Sequence, residues 1–111
     1  MTTLDHQTRF AHDVANLISH IFTQGYRCTI GEAFREEVNN PDTNWKDKTK
    51  TSMHCDKLAI DLDLFSSSGE HIRDGKTYEK FGVFWMQLDP LNSWGRRDAS
   101  QIDMNHFERT I

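Results

Sequence analysis

The sequence predicts a small α+β fold in which an antiparallel sheet carries its helices on one side. Two stretches, Asp5 to Gln24 and Thr77 to Leu88, repeat apolar residues at helical spacing, and a third, Leu58 to Phe65, alternates them at the strand period. The length of 111 residues matches one domain, expected to span the whole chain, since domains commonly run to about 100–150 residues.

In the first helix Phe10, Val14, Leu17, Ile18, Ile21 and Phe22 fall three and four residues apart and form one apolar stripe, and Gly25 ends it. Tyr26 to Phe34 is rich in β-branched and aromatic residues and reads as a strand, with Glu32 and Arg35 at its far end. Residues 36–53 are polar, contain Pro41 and lack a period, so an exposed loop is expected, with Trp45 as its contact aromatic.

Leu58, Ile60, Leu62 and Leu64 alternate with Ala59, Asp61, Asp63 and Phe65, which gives the next strand a greasy face and a face bearing two aspartates. Ser66 to Gly75 suits a hairpin or tight loop. Phe81, Phe84, Trp85 and Leu88 then mark the second helix, stopped at Asp89-Pro90. From Trp94 to the end a loop is expected, followed by a closing strand at His106 to Thr110; Trp85 and Trp94 read as core aromatics.

Charge and composition narrow the function. Thirteen Lys and Arg against seventeen Asp and Glu leave a net charge of −4, which disfavours nucleic acid. No apolar run approaches the roughly 18 residues of a membrane span, so no membrane insertion is expected. The N-terminus lacks a basic cluster followed by an apolar stretch, so no signal peptide is expected and the product is read as cytoplasmic on synthesis. Cys28 and Cys55 read as reduced thiols, with a single disulfide between them as the alternative.

Of the six histidines, His6, His12, His20 and His71 read as solvated side chains, whereas His54 and His106 sit beside carboxylates. A hydrolytic zinc site needs about three imidazole or carboxylate ligands, an open position for water and a proton acceptor. His54, Asp61 and His106 supply such ligands and Asp103 the acceptor, with Asp61 on the strand face opposite the leucines. Asp63 shares that face and is given a solvent or hydrogen-bonding role. No HExxH helix is present. On pattern alone, the same residues also read as surface histidines and ordinary strand aspartates.

The segment Ser52-Met53-His54-Cys55-Asp56-Lys57-Leu58-Ala59-Ile60-Asp61 resembles the SxHxxGxAxD signature of the zinc D-alanyl-D-alanine carboxypeptidase family, which includes VanX- and VanY-like peptidases and the L-alanyl-D-glutamate endopeptidases of phage endolysins. Trp94-Gly95 through Asp103-Met104-Asn105-His106-Phe107-Glu108 is similar to that family's WGG...[DE]xxHFE ending, and Gly31-Glu32-Ala33-Phe34-Arg35 to the EAxR of its phage branch. The resemblance implies Zn2+ held by His54, Asp61 and His106, with Asp103 as general base and acid. It also implies Arg35 on a substrate carbonyl or carboxylate and Ser52 as a hydrogen-bonding neighbour, although a loop-structuring hydroxyl fits Ser52 equally.

The function so implied is a monomeric zinc metallopeptidase that hydrolyses the stem peptide of peptidoglycan after release to the cell wall, closest to the endolysin endopeptidases. A D-alanyl-D-alanine carboxypeptidase or dipeptidase is second, and a non-catalytic, zinc-stabilised member of the fold third. Three residues depart from the pattern. Lys57 replaces a glycine, which predicts a different turn before the strand; Arg96-Arg97 replace a glycine and an acid; and Asp103 stands for a glutamate.

Overall fold

The computed structural model describes residues 1–34, 56–98 and 101–111. Within them lie helix α1 (Thr3–Thr23), strands β1 (Arg27–Ile30) and β2 (Ala59–Phe65), helix α2 (Gly75–Leu88) and strands β3 (Asn92–Asp98) and β4 (Gln101–Arg109). The strands form one antiparallel sheet in the order β1-β2-β4-β3. The expected α+β class is observed.

Helix α1 starts with a capping box: the Asp5 N–H donates to Thr2 Oγ1 and the Thr2 N–H to Asp5 Oδ2, so each satisfies an orphan donor of the first turn. Gly25, at φ +89°, takes the left-handed conformation that ends it. Phe10, Leu17 and Ile21 are buried, while Phe22 is 52% exposed and falls off the predicted stripe. In α2 the buried residues are Tyr78, Phe81, Gly82 and Trp85. They meet Ile60, Leu62, Leu64 and Phe107 in one core, so both helices cover the same side of the sheet. Trp85 sits at its centre, edge-on to Phe10 and Phe107.

Three expectations are corrected. Strand β1 ends at Ile30 instead of reaching Phe34, yet the chain stays paired for two more residues: the Gly31 N–H donates to Asp61 O and the Asp61 N–H to Glu32 O. The expected closing strand is the end of β4, but the loop expected before it holds β3 and the first half of β4; among the described residues β3 is an edge and β4 is interrupted, so the period of two is lost. Two of the four histidines read as solvated are partly buried and engaged, His6 accepting a hydrogen bond from Arg109 and His20 stacking on Phe84 at 3.8 Å, whereas His12 and His71 are exposed as expected.

Trp94 is partly buried against the core, as expected of it, and lies so close over Gly82 that a Cβ there would overlap the indole. Cys28 is a free thiol; Cys55 and Trp45 lie outside the described residues. Among the described residues no helix is long and apolar enough to cross a membrane.

A second polar feature lies on the helix side of the sheet. Asp13, Asn92 and Arg109 are all buried. Arg9 pairs with Asp13 at 3.1 Å, Asn92 donates to Asp13 Oδ2 and to the Trp85 carbonyl, and Arg109 Nη1 meets Asp89 at 2.8 Å. This bracket ties α1 to the end of α2 and to both C-terminal strands.

Candidate metal centre

The site begins with strand alternation. On β2 the side chains of Ile60, Leu62 and Leu64 enter the core, so Asp61 and Asp63 emerge on the opposite face. On β4 Phe107 is fully buried, which sends His106 and Glu108 to that same face. Asp61 and His106 are direct cross-strand partners. The Asp61 backbone N–H and C=O both bond toward Glu32 and Gly31, on the side away from β4. Facing His106 it therefore belongs to the non-hydrogen-bonded kind of antiparallel pair, in which side chains approach most closely. Asp61 Oδ1 lies 3.2 Å from His106 Nδ1.

Asp103 needs a different device, because in a regular strand a residue three before His106 would point to the other face. The pairing of β3 with β4 jumps from Trp94↔Phe107 to Gly95↔Asp103, leaving Met104, Asn105 and His106 without counterparts on β3. This bulge re-aims Asp103. The Trp94 indole N–H donates to the Met104 carbonyl at 2.7 Å, the Asn105 side chain donates to Asp63 Oδ1, and Gly95 supplies the positive φ of +70°. Asp63 thus has the hydrogen-bonding role expected of it.

As a result, one ligand atom from each of Asp61, Asp103 and His106 lies within 4.8 Å of the others. Zinc bonds to oxygen and nitrogen are about 2.0–2.2 Å, so two ligands of one tetrahedral ion lie about 3.4 Å apart. Closing onto an ion would draw these atoms together by up to about an ångström, and the donors are the carboxylate and imidazole types that divalent transition metals take. Asp103, expected as the proton acceptor, stands near enough to act as base or ligand. A pocket of about 310 Å³ opens beside it, lined also by Asp63, Arg73 and Asn105.

His106 is the electrostatic centre. Its Nε2 lies 2.7 Å from Glu108 Oε1 while Nδ1 faces Asp61, and its side chain is only 12% exposed. Burial works against the charged ring, but the hydrogen bonds to Asp61 and Glu108 and their negative charges outweigh it and push the imidazole pKa up to about 9. Glu108 received no role from the sequence, although its place two residues after His106 on a strand already puts the two on one face.

Lys57 adopts φ +62°, the left-handed conformation that glycine takes without steric cost. Its ammonium lies over the Phe34 ring. Of the other expected site residues, Arg35, Ser52 and His54 lie outside the described residues. No protein-family model and no curated protein matches this chain.

Proposed function

We propose that the protein is a zinc-dependent peptidase that hydrolyses the stem peptide of peptidoglycan as an L-alanyl-D-glutamate endopeptidase of the endolysin type, acting after release to the wall. The observation that carries this reading is the convergence of Asp61, Asp103 and His106, brought from two strands to within 4.8 Å of one another. They are three of the four residues that the two motifs single out. The glycine-like backbone of Lys57 supports it further, because the one position at which the first motif fails in residue type keeps the conformation a glycine serves.

Asp61 and His106 hold the metal, with His54 as the further ligand implied by the motif. A bound zinc supplies Lewis acidity, acidifying a water and polarising the scissile carbonyl. Asp103 accepts the proton of the attacking water on its carboxylate and passes it to the leaving amine, a role commonly worth about 10²- to 10⁴-fold in rate. Arg35 binds a substrate carbonyl or carboxylate, Ser52 donates a hydrogen bond beside it, and the pocket next to Asp103 receives the peptide.

The test is digestion of purified peptidoglycan with and without chelator, with new termini identified by mass spectrometry. A new D-glutamate amino terminus is expected. Released D-alanine instead would make the enzyme a carboxypeptidase, and zinc-dependent folding with no product would leave a non-catalytic zinc-stabilised fold. Asp103→Asn should retain zinc and lose roughly 10²-fold or more of turnover. Full activity in that variant removes Asp103 from the mechanism.

A further inference from the structure

The environment of His106 points beyond the ligand set. The ring touches a carboxylate at each nitrogen: Asp61 at Nδ1, 3.2 Å away, and Glu108 at Nε2, 2.7 Å away. Only Asp61 belongs to the group whose ligand atoms converge with Asp103. Glu108 is itself firmly held. The Thr110 hydroxyl donates to its Oε2 at 2.9 Å, leaving Oε1 for the imidazole, and its backbone carbonyl accepts from the indole N–H of the fully buried Trp85 at 3.0 Å.

We propose that Glu108 is a positioning residue for the metal centre: by accepting the Nε2–H of His106 it fixes the ring's tautomer and orientation, so that Nδ1 is the nitrogen offered to the ion. The inference rests on the metal reading above. Its physical basis is that a ligating imidazole must present a lone pair in one direction, and a carboxylate on the far nitrogen both places the proton there and raises the basicity of the ligating one. Thr110 acts one step further out, by dividing the two oxygens of Glu108 between separate partners.

The experiment measures Zn2+ affinity by competition with a chromophoric chelator for the full chain, Glu108→Gln and Thr110→Val. It is paired with 15N NMR of the histidine rings in the zinc-loaded wild type and thermal melts of the chelated proteins. The glutamine variant should bind zinc about 10- to 100-fold more weakly. The valine variant should shift in the same direction by less, with chelated melts close to wild type. The NMR should show His106 metal-bound at Nδ1 and protonated at Nε2. Wild-type affinity in Glu108→Gln, or ligation through Nε2, overturns the inference while leaving the metal centre standing. Failure of the wild type to bind zinc overturns the metal centre and this inference together. Should the glutamine variant not fold, the NMR assignment and Thr110→Val still decide.

Discussion

Strand β4 serves two charge clusters on its two faces, and they are built differently. On the helix side Arg109 and Arg9 hold Asp89 and Asp13 with guanidinium groups, which stay charged at every ordinary pH and do not ligate metals. On the other side Asp61 and Glu108 flank an imidazole, whose proton can leave and whose nitrogen can then bind an ion. The same carboxylate chemistry makes a permanent clasp in one place and an exchangeable one in the other. What separates them is the partner's ability to give up its proton.

Breaking the permanent clasp should have the largest effect. Arg109→Ala leaves Asp89 at a half-buried position without its closest partner and should cost about 3–5 kcal/mol in chemical denaturation. His106→Ala, tested without metal, should cost clearly less; equal losses would erase the distinction. Gly82→Ala comes next, because a methyl at that point overlaps the Trp94 indole. A loss of about 1–3 kcal/mol is expected, together with displacement of the Trp94 N–H resonance, since the indole must leave the Met104 carbonyl.

Acidity sharpens the contrast, because the two clusters should fail at opposite ends of the pH scale. For His106 the folded pKa, about 9, lies above the ordinary 6.5. Its contribution to the chelated protein is therefore complete below pH 6.5 and lost as pH rises through 9. For Asp89 burial opposes ionisation, but the Leu91 N–H and the charges of Arg109 and Arg9 hold its pKa below the ordinary 3.8. Its contribution is present above 3.8 and lost as pH falls through the lowered value. Melting temperatures of chelated protein across pH should show both declines, and saturating Zn2+ should remove the alkaline one. The smallest effect is expected at Lys57→Gly, which relieves a left-handed lysine and should stabilise by up to about 1 kcal/mol, read as a shift in denaturation midpoint.

How far the sequence could be read follows from this division. Helix α1, helix α2 and β2 were legible because each buries one face, and burial of one face imprints a period on the residues. Asp61 was legible for the same reason, as the polar half of an alternation. The end of β4 was read as the closing strand, but β3 and the first half of β4 were not legible, because a strand interrupted by a bulge and its short partner carry no clean period. The convergence of Asp103 with His106 depends on that bulge, so the ligand chemistry and the motif could propose it where periodicity could not. The buried Asp13, Asn92 and Arg109 escaped notice because nothing local distinguishes a charged residue that finds a buried partner from one that meets water.

The sharing of one strand by both clusters has a mechanical consequence. Glu108 and Arg109 are joined by a single peptide unit and face opposite ways, one toward His106 and the other toward Asp89. Loosening the arginine anchor, even from the far side of the molecule, frees the segment that steadies the imidazole. Substitutions that never touch the face bearing Asp61 and Glu108 should therefore register there as a loosened His106 ring.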